Sequence, residues 1–174
     1  IELLSSPLPP VRLMGLGYGL DNLISESSSH NNSYGGRRCF DGLMTHNRTM
    51  GSGSPHWIAV EFAKPVRVTT YRIWANNNAS YKDAPIDWVV HGSPNGYDWH
   101  DLDVRADSEP PDTYDYVDTL SQFVTYGIPH AEFQVRQPAA FGHYRLFVTK
   151  TGGGTSGRDT ILRVAELEFL GYIY

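Results

Sequence analysis

Three polar stretches of this chain carry residue types suited to recognising a polyhydroxylated ligand. Ser25 to Arg38 (SESSSHNNSYGGRR) holds His30, Asn31, Asn32, Tyr34 and Arg37. Asn76 to Ala84 (NNNASYKDA) adds further Asn residues with Tyr81 and Lys82, and Thr151 to Thr160 (TGGGTSGRDT) adds Arg158 and Asp159. A sugar needs a flat aromatic against its CH-rich face and amide, Arg or His groups to read its hydroxyls in a shallow cleft. On that chemistry His30, Asn32, Tyr34, Asn76, Asn77, Tyr81 and Arg158 are the candidate ligand-binding residues. Taken singly, each also reads simply as a solvated loop residue.

A second candidate is a cation site. Calcium takes six to eight oxygens, mixing carboxylates with backbone carbonyls that a tight loop turns inward. Phe40-Asp41-Gly42 followed by Thr45, His46 and Thr49 offers a carboxylate at Asp41, a permissive turn at Gly42, and carbonyls or hydroxyls beyond. The plainer reading is that Asp41 caps a turn. Among the tryptophans, Trp57, Trp88 and Trp99 fall in or beside strand-like segments and read as core or rim. Trp74, next to the Asn run, is the one candidate for a binding platform, although core is the simpler reading there too.

Signatures of catalysis are missing. Gly51-Ser52-Gly53-Ser54 is not the Gly-x-Ser-x-Gly of a nucleophile elbow. The 7 His residues show neither His-x-x-x-His nor His-x-His spacing, which disfavours a catalytic zinc. Asp101 and Asp103 form a carboxylate pair, but they lie in an acidic stretch, Asp98 to Asp118, that reads as a solvated connection. The single cysteine, Cys39, precedes Phe40 and reads as a buried structural thiol. The expectation is that the chain is not an enzyme.

The elements that must position these residues are strands. The 174 residues suit one domain, 1–174, and are 40% hydrophobic and 13% aromatic, as expected of a folded β-rich chain. Gly and Pro recur too often for long helices, whereas period-2 alternation is frequent. Ile58, Val60 and Phe62 share a face, as do Tyr144, Leu146 and Val148, and Ala165, Leu167 and Phe169, the last set with Glu166 and Glu168 opposite. Val66 to Trp74 and Ile86 to His91 are strand-like, the latter followed by the turn signal Ser93-Pro94-Asn95-Gly96. At least six strands without intervening helices point to an all-β sandwich or jelly roll. The formal net charge of −5 argues against nucleic acid, and no run of about 18 apolar residues suggests a membrane span. The chain starts at Ile1 with no signal-peptide pattern, and reads as a domain of something larger or a processed product.

Several segments, in order, resemble the discoidin (coagulation-factor type C) family, which includes the family 32 carbohydrate-binding modules. They are Cys39-Phe40-Asp41-Gly42; Pro55 to Phe62 with Lys64-Pro65-Val66-Arg67-Val68; Ser93-Pro94-Asn95-Gly96-Tyr97-Asp98-Trp99; Tyr144-Arg145-Leu146; and Ala165 to Phe169. The resemblance covers about residues 34–171. It implies a jelly-roll β-sandwich of about eight antiparallel strands, no catalysis, and a ligand site on loops at one end. It also implies that Glu166, from the last strand, closes a structural calcium site with Phe40, Asp41, His46 and Thr49. Pairing of Glu166 with an Arg such as Arg145 is the alternative. The chain departs from the family in lacking a Trp after Asp41-Gly42, an Arg at Trp74-Ala75-Asn76 and the terminal Cys pair, so no galactose preference carries over. With the fold implied, the three polar stretches together favour a glycan or glycoconjugate partner over mere solvation. The expected protein is a carbohydrate-binding or adhesion module of a larger secreted, surface or viral fibre protein, extracellular, without membrane insertion. The alternative is a protein-recognition domain of the same fold.

Overall fold

The computed structural model describes residues 11–13, 23–28, 35–40, 48–50, 54–74, 84–106, 131–152 and 161–173. They form ten strands: β1 (Val11–Arg12), β2 (Ile24–Glu26), β3 (Arg48–Met50), β4 (His56–Trp74), β5 (Pro85–Ser93), β6 (His100–Arg105), β7 (Ala131–Gln134), β8 (Ala140–Thr151), β9 (Leu162–Val164) and β10 (Glu166–Ile173), with a 3₁₀ turn at Gly36–Phe40. Pairing is antiparallel throughout, in the order β1-β10-β4-β8-β5-β6, with β2 and β7 also on β4 and a separate β3-β9 ribbon. The expected all-β jelly-roll sandwich is what the chain adopts. Among the described residues no helix is long and apolar enough to cross a membrane.

β4 builds both layers. Its first part, His56 to Glu61, lies between β2 and β8, while its second part, Val68 to Trp74, lies between β7 and β10. Between them the register to β8 jumps from Glu61↔His143 to Val66↔Phe141, so β4 spends five residues where β8 spends two. Pro65, with no N–H to donate, sits in this exposed bend, where a ladder bond is not required. A strand that bends this way passes from one sheet to the other.

The core fills the space between the layers. Ile58, Val60, Trp88, Val90, Tyr144, Leu146 and Val148 face Val68, Tyr71, Ile73, Leu167 and Phe169, all within one buried cluster. The period-2 expectations for β4 and β8 therefore hold. A bulge between Leu170 and Gly171 shifts the parity of the β10–β4 ladder. It requires glycine, because a Cβ on Gly171 would lie 1.9 Å from the Arg67 carbonyl oxygen. Tyr144 fastens the bend: its hydroxyl lies 2.7 Å from both the Val66 and Ala139 carbonyl oxygens and accepts from the Val68 N–H at 3.3 Å.

Three sequence expectations change. Ser25 to Arg38 is not loop throughout, since Ser25 and Glu26 belong to β2 and Gly36 to Arg38 to the 3₁₀ turn. Glu166 and Glu168 alternate with core residues, yet both are buried, at 5% and 4% exposure. On that outer face a charge row, Glu132–Arg72–Glu168, spans β7, β4 and β10 at 2.6 and 3.1 Å. The acidic stretch begins inside the fold: His100–Arg105 is strand β6, and Asp103 is 1% exposed.

Candidate functional site

Described residues that bracket the three polar stretches are tied together at one end of the sandwich. The Gly152 N–H donates to the Ala84 carbonyl at 3.1 Å, joining the end of β8 to the start of β5. The Ala165 N–H donates to the Trp74 carbonyl at 2.9 Å, joining the β9–β10 junction to the end of β4, and β9 packs against both β4 and β5. After β2, Ser27 exchanges hydrogen bonds with Trp57, through its N–H at 3.0 Å and its hydroxyl at 3.1 Å. His56 and Trp57 in turn pair with Val148 and Phe147, close to where β8 ends. His30, Asn32, Tyr34, Asn76, Asn77, Tyr81 and Arg158 themselves lie outside the described residues. Trp74 is not a platform. It is 2% exposed and part of the interior, because the strand end on which it sits is covered by the β9–β10 junction.

Of the candidate cation ligands, Asp41 and His46 also lie outside the described residues. Phe40 closes the 3₁₀ turn at 2% exposure, its ring 6.4 Å from Phe169. Cys39 beside it is a buried thiol in no disulfide, as its apolar setting suggested, and its S–H donates to the Val164 carbonyl at 3.5 Å. Thr49 stands opposite Arg163 in the β3–β9 ribbon, three residues before Glu166. The turn packs against β10 and β3, and Glu166 at the start of β10 is buried; buried carboxylates require compensating charge or donors. Among the described residues no group of three or more His, Cys, Asp or Glu converges on a metal-sized gap. Arg145, the alternative partner for Glu166, is engaged elsewhere.

That engagement forms a polar-aromatic cluster on β5, β6 and β8. The Arg145 guanidinium lies 4.1 Å from the Trp99 ring centre and 4.7 Å from that of Phe147, a cation–π arrangement. Its Nε–H donates to His91 Nδ1 at 2.9 Å, which leaves the imidazole proton on Nε2, 3.1 Å from Asp101 Oδ1. Burial, and then the Arg145 charge, lower the His91 pKa, with Asp101 opposing. Burial lowers that of Arg145, again against Asp101. Both nitrogens of His91 are therefore committed to holding neighbours, and the cluster fixes Trp99 and Asp101 in place.

A second network closes the edge of the core. The Tyr71 hydroxyl donates to Asp103 Oδ2 at 2.7 Å and accepts from Trp88 Nε1–H at 2.9 Å. Arg105 Nε–H donates to the same Oδ2 at 2.8 Å, and Arg136 Nε lies 3.5 Å from Oδ1. Burial and the Asp103 carboxylate push the Tyr71 pKa well above the usual tyrosine range. Neither network was legible as such, because each depends on cross-strand register: His91 opposite Arg145, and β6 alongside β5.

These features define an antiparallel all-β jelly-roll sandwich. No protein-family profile matches the chain, and no curated protein matches it. Solved structures share its fold at low identity. Chitosan-binding module 1 from a Paenibacillus sp. IK-5 chitosanase/glucanase is 14% identical, with a TM-score of 0.62 over 85% of this chain and 93% of that one. The family 32 carbohydrate-binding module of Clostridium perfringens NanJ, solved with galactose, is 11% identical, with a TM-score of 0.59 over 84% and 91%. A Streptococcus pneumoniae fucose-binding module is 12% identical, with a TM-score of 0.61 over 94% and 96%.

Proposed function

We propose that this chain is a non-catalytic carbohydrate-binding module that takes glycans at the end of the sandwich where β2, β4 and β8 finish. One observation carries the reading. The described residues bracketing all three sugar-suited stretches are hydrogen-bonded or strand-paired neighbours at that end. The fold is the one used by solved modules for chitosan, galactose and fucose. In this reading Tyr34 or Tyr81 stacks on the sugar ring, and His30, Asn32, Asn76, Asn77 and Arg158 read its hydroxyls. Binding per site is weak and gains strength through multivalency in a larger secreted or surface-exposed protein.

A structural calcium belongs to the same proposal. Phe40, Asp41, His46 and Thr49 would hold it, with Glu166 closing the cage. What supports it is that the Phe40 turn packs against β10 and against the β3 strand that carries Thr49, and that Glu166, two residues after β9, is buried. The ion would pin the loop after the 3₁₀ turn and take no part in chemistry.

The test is a broad glycan array, run in parallel in calcium and in EDTA. Selective binding supports the module reading, and its loss in EDTA ties the calcium to the binding loops. Absence of binding to any glycan in either buffer would leave protein recognition as the better account.

A further inference from the structure

At the other end of β5, about 25 Å from the loop end by strand rise, the β5–β6 hairpin and the β7–β8 connection enclose an open cleft of about 700 Å³. Its walls include Trp99, His100, Asp101, Leu102, Gln137 and Phe141. That volume falls within the range of small-molecule sites.

The cleft is built rigidly. Phe141 lies flat against His100, ring centres 5.4 Å apart and planes within 15°, so the exposed imidazole presents a supported flat face. Gly92 makes room for this stack, since a Cβ there would fall 2.2 Å from Phe141 Cδ2 and 2.8 Å from Leu102 Cδ1. The opposite wall is pinned where the Gln137 N–H donates to the Leu102 carbonyl at 2.9 Å and where Tyr144 meets the Ala139 carbonyl. On the rim, the Asp101 side chain is 67% exposed while His91 Nε2–H fixes one of its oxygens. The Arg145 guanidinium lies against the Trp99 ring, and exposed Gln137 lines the same space. Such preformed geometry spares a ligand the cost of ordering its site.

We propose that this cleft is a second glycan subsite, specific for a cationic amino-sugar residue whose ring lies on the His100–Phe141 stack and whose ammonium pairs with Asp101. The fixed Asp101 carboxylate, exposed on the rim while the Arg145 guanidinium lies over the Trp99 and Phe147 rings, favours a positive ligand over an acidic sugar. The proposal goes beyond the loop-end reading and does not rest on it. Sites at both ends would let one module bridge two segments of a polymer.

Amide chemical-shift mapping of the ¹⁵N-labelled chain tests this, with chitotriose as probe and its fully N-acetylated counterpart as the neutral control. The expected result is chitotriose-dependent shifts at Trp99 to Leu102 and Gln137 to Phe141, with the neutral trimer about tenfold weaker. Asp101→Asn should weaken chitotriose about tenfold and erase the preference. His100→Ala, at an exposed position, should abolish the cleft shifts while the unfolding midpoint is retained. Shifts confined to the loop end would overturn the second site and leave the loop-end reading standing. Cleft shifts alone would support the second site and count against the loop end. Unmoved cleft amides at millimolar chitotriose, or undiminished affinity in D101N, would overturn the proposal.

Discussion

Replacing Asp103 by Ala removes a carboxylate that is 1% exposed and receives the Tyr71 hydroxyl at 2.7 Å and Arg105 at 2.8 Å. The two donors fare differently. The Arg105 side chain is 22% exposed, so its guanidinium regains water, and losing this pair costs up to about 1 kcal/mol. Tyr71 is 0% exposed, so its hydroxyl is stranded in the core beside Trp88, at about 1–3 kcal/mol. The expected destabilisation is about 2–3 kcal/mol, a fall in Tm of about 5–10 °C for a chain of this size. Urea unfolding at pH 7 of D103A, Y71F and the double variant is the assay. Once the hydroxyl is gone there is nothing left to strand, so the double variant should fall short of the summed singles by about 1 kcal/mol. A D103A cost below about 0.5 kcal/mol, or strict additivity, would refute the reasoning.

Other outcomes follow from the same geometry. His91 has a lowered pKa, so as pH falls below about 6.5 the unfolded chain takes up a proton that folded His91 refuses. The stability it contributes above that pH is then lost in acid. Between pH 7 and 5 the urea midpoint should drop further in the wild type than in His91→Gln, and equal drops would contradict the assignment. Gly92→Ala should cost about 1–3 kcal/mol in urea unfolding, because the Phe141 ring cannot keep its place. A cost near zero would mean the stack gives way freely. Removing calcium with EDTA should lower Tm by several degrees, and Asp41→Asn should make Tm indifferent to EDTA. An unchanged wild-type Tm would sink the calcium reading.

Strand periodicity made the layers legible. Ile58, Val60, Tyr144, Leu146 and Val148 point inward as their alternation required, and Gly96 takes the positive φ of 78° that its Asn-Gly turn signal called for. Alternation alone did not reveal that β4 is one 19-residue strand serving two sheets, because Glu61 to Pro65 reads locally as an ending. Nor did it reveal that Glu166, Glu168 and Asp103 are buried, since that depends on what the neighbouring strands place over them. Trp74 was the one platform candidate among the tryptophans, with core the simpler reading, and it is core. The polar stretches were proposed from residue type, whereas the meeting of the described residues that bracket them follows from strand order, which no local pattern encodes. The His91–Arg145–Trp99 cluster is likewise a product of register: β5, β8 and the hairpin are each legible, but their alignment is not.

The central claim is glycan recognition at the end where β2, β4 and β8 finish. Calorimetric titration of the strongest glycan-array ligand into the wild type and a Asn77→Ala/Tyr81→Ala/Arg158→Ala variant tests it most directly. The account expects saturable wild-type binding that the triple variant loses while keeping its unfolding midpoint. Undiminished binding by a folded triple variant would contradict it.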